Sequence, residues 1–238
     1  MPSRAELKTS AKQQLKGKWG TGVLAVLIIA ALNVVAGLFL QLSHVIGEII
    51  WLVYFVLVLS VVMVSTFKLF LDVSRNKEVK AGGVFNGFKF FGRSMALYWS
   101  LILFVIIWSI PYIVFYLLTL FFIFPGAATG SMALLIPGII FAVLAFAGLV
   151  LVVIAKYRFG QAIYIGLDNP EMPAMQCVKE SDRIMKGHKG KLFVLELSFI
   201  GWAILAAIPF GIGLLWLIPY IATTNANFYQ ALIGKENK

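Results

Sequence analysis

Glu196 is the residue whose position in this sequence most calls for a chemical explanation. It falls about one turn inside an apolar stretch, where a carboxylate is expensive unless it is paired or put to use. The groups that can share its surroundings are hydroxyls and amides. Thr223, Thr224, Asn225 and Asn227 lie in the last apolar stretch at comparable depth, and Asn33 is the amide of the first. Together they predict a polar cavity that opens toward one leaflet and suits an ion, a proton or a lipid headgroup. The competing use is interhelical hydrogen bonding, typically worth under about 1 kcal/mol per pair.

Other reactive side chains are sparse. His44 and Glu48 stand at i and i+4, the spacing of one helical face, but two ligands do not make a metal site. His188 sits in a lysine-rich turn, where a phosphate contact competes with ordinary solvation. Cys177 is the only cysteine, so neither a disulfide framework nor a multi-cysteine metal site is available. The HExxH, GxxxxGK[ST] and GxSxG patterns are missing, so the sequence favours a protein that is not an enzyme and needs no metal or cofactor. Lys68 and Asp72 form an i,i+4 pair at a helix end, with Arg75 as a further partner for Asp72.

These residues must be positioned by helices that cross a bilayer. Apolar residues make up 61% of the 238 positions and charged residues 13%, against about 25% charged in a soluble domain. The apolar residues gather into runs near the length of about twenty that spans a hydrocarbon core. They predict a single membrane domain over 1–238, with spans at about 21–40, 47–71, 95–124, 133–155, 192–208 and 212–233. Pro111 should kink the third span, and the segment from Pro125 to Ser131 reads as a turn. Pro209-Phe210-Gly211 reads as a turn between the last two spans; a five-span alternative lays 212–233 on the surface. A cleaved leader is weighed against by Ser3 and Glu6, which form a capping box in the basic segment before the first span.

The net charge of +10 would suggest a nucleic-acid partner in a soluble protein, but here the placement of charge matters more than its sum, and no nucleic acid is expected. Residues 1–20, 68–93, 156–191 and 235–238 hold all 20 lysines and arginines, and the alternate connections hold none. Because basic residues stay on the cytoplasmic side, six spans with both termini inside are expected. Cytoplasmic surface helices are predicted at about 4–16, 80–92 and 173–187, the middle one weakened by Gly82, Gly83 and Gly87. In the first, Arg4, Lys8, Lys12 and Lys16 form a basic ridge beside an apolar stripe of Leu7, Ala11 and Leu15. With Lys186 and Lys189 these cations suit anionic phospholipid headgroups, each contributing on the order of 1 kcal/mol near such a surface. Each surface helix precedes a basic glycine turn and a pair of spans: Leu15-Lys16-Gly17-Lys18-Trp19-Gly20, then Phe91-Gly92-Arg93-Ser94, then Met185-Lys186-Gly187-His188-Lys189-Gly190. The expected fold is therefore an all-α polytopic bundle with three repeats of surface helix plus hairpin.

The expected function is non-enzymatic: binding or moving a small solute, ion or lipid through the inner-leaflet cavity at Glu196. The alternative is a scaffold or regulator that recruits a protein partner or anionic lipid through its basic helices. At the C-terminal third, Ser181 with Met185-Lys186-Gly187, Leu197-Ser198-Phe199-Ile200-Gly201-Trp202, Gly211-Ile212-Gly213, Pro219-Tyr220 and Phe228-Tyr229 resemble a known family. So does the opening Arg4-x-Glu6-Leu7-Lys8 followed by Ala11-Lys12. The chain is similar to the bacterial integral membrane proteins grouped as domain of unknown function 975, closely at both ends and in hydropathy alone over 75–150. The resemblance implies a bacterial plasma membrane and a distinctive unit in the last two spans. It carries over neither an activity nor catalytic residues.

Overall fold

The computed structural model describes residues 1–41 and 44–236; the side chains of His44 and Lys235, and Lys238, lie outside the described residues. The described residues form helices and turns with no strand. Helix α1, Arg4–Leu15, begins with the capping box: the Glu6 N–H donates to Ser3 Oγ at 3.2 Å and the Ser3 N–H to Glu6 Oε2 at 2.9 Å. Its Leu7, Ala11 and Leu15 are buried against the later helices α4 (Ser60–Ser74) and α11 (Leu214–Glu236). The apolar stripe is thus consumed by protein packing rather than by a bilayer surface.

Helix α2, Trp19–Phe39, packs on α11 where Gly22 lets Pro219 approach. Helix α3, His44–Val53, continues through a π-helical stretch, Tyr54–Leu59, into α4. The expected middle surface helix is a 3-10 segment, Ala81–Phe90. Gly87 explains its position: its N–H donates to Ser65 Oγ of α4 at 2.7 Å, and a side chain at 87 would collide with that hydroxyl and with the Val61 carbonyl.

Helices α5, Phe91–Thr129, and α6, Met132–Phe159, form one long antiparallel hairpin closed by Gly130 with φ 67°. Two expectations are corrected here. Phe91-Gly92-Arg93-Ser94, expected as a basic glycine turn between a surface helix and a span, is the first turn of helix α5 itself. The turn expected from Pro125 is confined to Gly130-Ser131, because Pro125 is accommodated inside α5 and Thr129 Oγ1 donates to its carbonyl at 2.8 Å.

Next comes a short helix, α7, Ala162–Asp168, whose Ala162, Ile163, Tyr164 and Ile165 are all buried. The break before it is held by buried Ser181, which donates to the Arg158 carbonyl at 2.8 Å and accepts the Gln161 N–H at 3.1 Å. Ser181 belongs to α8, Ala174–Ile184, whose Cys177, Val178 and Ile184 also face the interior. The stretch expected as one span over 192–208 is two helices, α9, Lys189–Leu197, and α10, Ile200–Ala207. Ser198 Oγ turns back to the Leu195 carbonyl at 2.6 Å, and Lys8 Nζ donates to the Ser198 carbonyl freed by the break at 3.1 Å. The turn at Pro209-Phe210-Gly211 is present, with Phe210 and Gly211 at positive φ.

Among the described residues, five helical stretches are long and apolar enough to cross a membrane: Trp19–Phe39, Val45–Ser74, Ala81–Thr129, Met132–Asp168 and Lys189–Ala207. Helix α11 is not one of them. Its polar half is enclosed instead, with Thr223, Thr224, Asn227, Phe228 and Tyr229 buried against neighbouring helices. Large apolar side chains such as Phe121, Phe124 and Phe146 stand outward on α5 and α6, the reverse of a water-soluble surface.

Candidate functional site

Glu196 lies in the last turn of α9, just before the α9–α10 break, and its carboxylate meets the last turn of α6. Its Oε2 accepts from Lys156 Nζ at 2.5 Å and from the Tyr157 hydroxyl at 2.9 Å. Phe193, one turn earlier on α9, stands edge-on to the Tyr157 ring at 5.8 Å and fixes the phenol's direction. These residues line one end of a groove of about 380 Å³ whose walls are Leu197, Phe199, Ile200, Ala203 and, from α11, Ile221. The break is what opens the groove: a continuous helix through 198 would carry Phe199 and Ile200 around on an unbroken face. Lys156 has 60% of its side chain exposed, whereas Glu196 has 22%, so the ammonium stands at the rim with the carboxylate behind it. The result is an amphipathic slot with one cation, one anion and one phenol at its polar end.

The other residues expected beside Glu196 divide among different surroundings. Asn225 faces a neighbouring pocket of about 230 Å³ lined by Thr66, Phe67, Phe70, Tyr164 and the α11 residues Ile218, Ile221 and Ala222. Its Oδ1 is buried without a hydrogen-bond partner, and Ile221 is shared by both linings. Thr223 Oγ1 and Thr224 Oγ1 donate within α11 to the carbonyls of Pro219 and Tyr220. Asn227 turns to α1, donating to Gln14 Oε1 at 2.8 Å. Asn33 bonds within α2, to the Ile29 carbonyl at 2.8 Å, on an exposed face. Among the described residues, no three of His, Cys, Asp and Glu stand close enough to share a metal ion.

The basic residues expected to face headgroups are also sorted by structure. Arg4, Lys12, Lys16 and Lys186 are exposed. Lys8 is drawn inward: besides holding Ser198, its ammonium lies 4.1 Å from the centre of the Phe199 ring, and burial lowers its pKa, helped by Arg4 and Lys12. Lys189 reaches Asp182 at 3.6 Å, beside a two-pronged Arg158 contact at 2.7 and 2.6 Å. Hydrogen bonds from Arg158 hold the Asp182 carboxyl below its ordinary range; burial opposes them less strongly, and the charges of Arg158 and Lys189 add to the lowering. A depressed carboxylate contributes stability that is complete above its unfolded value near about 4 and is lost as pH falls through the folded value. The melting temperature in detergent is therefore expected to fall between about pH 5 and about pH 3, and to fall less in Asp182→Asn. Equal slopes for the two proteins would show that the pair does not support the fold.

One interior cluster escaped the sequence entirely. Arg75 grips Asp168 with both terminal guanidinium nitrogens, Nη1 and Nη2, at 2.8 and 2.6 Å, and the Tyr229 hydroxyl donates to the same carboxylate at 3.0 Å. Asp72, the partner expected for Arg75, is engaged by Lys68 and Lys77 instead, at 3.4 and 3.1 Å. Gln230 donates to Ser74 Oγ at 2.6 Å, and Gln14 to the Ser74 carbonyl at 2.8 Å, so α1, α4, α7 and α11 are joined at one end of the bundle.

A family model described as "Protein of unknown function (DUF975)" matches residues 1–236, nearly the whole chain. No curated protein and no solved structure matches it.

Proposed function

The chain belongs to the DUF975 family of proteins of unknown function, and we propose that it is a non-enzymatic, multi-pass membrane protein that binds a lipid in the groove at Glu196. The observation that carries this reading is the union, in one slot, of a charged pair with an apolar wall. Lys156 at the rim suits a headgroup phosphate, Glu196 and the Tyr157 hydroxyl suit a headgroup amine or hydroxyl, and Leu197, Ile200, Ala203 and Ile221 suit the first carbons of an acyl chain. A pair that merely tied α6 to α9 would need no such wall.

In this reading the membrane contains six spans with both termini cytoplasmic. The segregation of lysines and arginines supports the orientation. Helix α11 serves as the sixth span because its polar face meets protein, where its low hydropathy is not a penalty. The chain is further organised as three units of surface helix plus hairpin. The first and third turns support this: Gly17 and Gly187 have φ 79° and 74°, Lys18 N–H donates to the Leu15 carbonyl, and His188 N–H to the Met185 carbonyl. So does packing, since α8 lies on α5 and α6, the 3-10 segment on α2 and α4, and α1 on α11 as well as α4, so each surface helix meets spans of the preceding unit in cyclic order.

Mild extraction into nanodiscs followed by mass spectrometry of retained phospholipid tests the groove. Glu196→Gln combined with Lys156→Gln is expected to reduce specific retention about tenfold, equivalent to roughly 1.4 kcal/mol. Retention equal to wild type in a folded double variant would remove the proposal. The exposed Arg4, Lys12, Lys16 and Lys186 favour the second reading, a scaffold that meets a partner or anionic lipid through its basic helices.

A further inference from the structure

A second cavity, of about 750 Å³, lies where the α1–α2 turn, the end of α4 and the start of the 3-10 segment meet, and it shares no lining residue with the groove at Glu196. We propose that it binds a phosphate group through the ammonium groups of Lys18, Lys68 and Lys80.

Those lysines come from three separate parts of the chain, so their convergence is a product of the fold. Two carboxylates, Asp72 and Glu78, also line the space. Asp72 is already engaged by Lys68 at 3.4 Å and by Lys77, which stands outside the lining, at 3.1 Å. The lining thus holds three lysines against two carboxylates, one of which Lys77 helps to neutralise from outside, so the balance of charge around the space is positive. Lys18 spends one donor on the Lys77 carbonyl at 2.8 Å and retains two for a ligand. Thr21, Asn86 and Gly82, which carry a hydroxyl, an amide and a backbone N–H as neutral donors, complete the lining. Gly82 is in the first turn of the 3-10 segment, where N–H groups have no carbonyl within the helix, and Lys80 makes no side-chain cap there. Glycine also keeps the space open. A Cβ at Gly83 would meet Leu69 Cδ1 at 3.3 Å and Asn86 Nδ2 at 3.6 Å, while Gly17, with φ 79°, and Gly82 open on empty space. Several ammonium and N–H donors around one space match the oxygens of a tetrahedral phosphate. The volume exceeds that of phosphate alone and leaves room for an ester substituent, whether a phospholipid headgroup or a soluble phosphate ester.

Inorganic pyrophosphate titrated calorimetrically onto the full-length protein in phosphatidylcholine nanodiscs tests the soluble source. Mass spectrometry of phosphatidylglycerol retained from mixed phosphatidylcholine and phosphatidylglycerol nanodiscs tests the lipid source. In Lys18→Gln combined with Lys80→Gln, whichever signal the wild type gives is expected to weaken about tenfold, with Lys80→Gln alone intermediate. Lys179→Gln, an exposed change elsewhere, should leave it intact. Saturable pyrophosphate binding with this pattern supports a soluble phosphate ester, and selective phosphatidylglycerol retention with this pattern supports a headgroup. Absence of both signals in wild type, or equal weakening by Lys179→Gln, overturns the proposal.

Discussion

Gly148→Val is expected to prevent the α5–α6 hairpin from closing, and with it to remove most monodisperse protein after detergent extraction. A Cβ at 148 would stand 2.7 Å from Tyr112 Cα and 2.8 Å from Tyr112 N, and backbone atoms cannot rotate aside as a side-chain tip can. The two helices must separate. The same closeness recurs at Gly138, beside Ile123, and at Gly126, beside Leu134 and Leu135, so the contact runs along the hairpin. In hydrocarbon, helix association draws on close packing rather than on water expulsion, and small residues are what make it close. Beyond Ser100, the only buried position on α5 is Gly126, so α6 is the main partner that this part of the helix has. Overpacking in a core costs about 1–3 kcal/mol when side chains can adjust, and the cost here should exceed that range because they cannot. Size-exclusion profiles and melting temperatures of Gly148→Ala and Gly148→Val should worsen in that order. Gly37→Ala, where nothing lies within 4 Å of the added carbon, serves as the neutral control. A wild-type melting temperature for Gly148→Val would mean that the close contact is not what holds the hairpin.

Hydropathy located five of the six expected apolar stretches as helices long enough to span a bilayer, because a lipid solvent demands length and apolarity of a segment, and both are local properties. It failed where a local rule met a tertiary partner. Pro125 looks like a turn in isolation, yet the Thr129 hydroxyl, donating to the Pro125 carbonyl, and the packing at Gly126 keep the helix going for another turn. Leu192 to Ile208 looks continuous, yet Lys8, 190 residues away, takes the Ser198 carbonyl and stabilises a break. The stripe on α1 was legible as an apolar face, but its periodicity is the same whether the face meets lipid or protein. Only the burial of Leu15 at 0% exposure decides between the two.

The candidate site was legible to the same degree. Glu196 stood out from one residue's cost in hydrocarbon, but the sequence pointed to the amides of the last helix as its company. Its hydrogen-bond partners are Lys156 and Tyr157, which end the preceding long span. That signal was available, since the inner ends of consecutive spans lie at one depth, and a lysine immediately after an apolar run can reach a carboxylate one turn inside the next. The cavity lined by Lys18, Lys68 and Lys80 was not available in the same way. Residues 18, 68 and 80 share no periodicity: in the sequence Lys18 and Lys80 signal topology alone, and Lys68 a helix-end pair with Asp72.

Arg75→Ala is expected to be the most damaging single change of charge, lowering stability by on the order of 2 kcal/mol, the scale of a hydrogen bond to a charged group with partial burial. The Arg75 and Asp168 side chains are 27% and 22% exposed, less sheltered than the fully buried pairs whose disruption costs about 3–5 kcal/mol. Arg75→Ala would leave Asp168 with the Tyr229 hydroxyl alone. Arg75→Lys should recover only part of the loss, because one ammonium cannot reproduce two parallel contacts. A double-mutant cycle separates the pair from its surroundings: Arg75→Ala, Asp168→Ala and the combination, each followed by thermal unfolding in detergent. If the pair acts as a unit, the combined variant is no less stable than the worse single variant; additive losses would show that the two side chains act separately. The cycle also bears on the architecture. Arg75 closes α4, Asp168 closes α7, and Tyr229 lies in α11, so the cluster joins the second helix or its extension from each of the three proposed units. Loss of cooperativity in Arg75→Ala, with separate unfolding steps replacing one, would show that this junction is what makes three hairpins fold as one body. A single transition at lower temperature would place that cohesion instead in the apolar packing of Phe67, Tyr164 and Tyr229, whose rings meet at 5.1 and 5.2 Å in the same core.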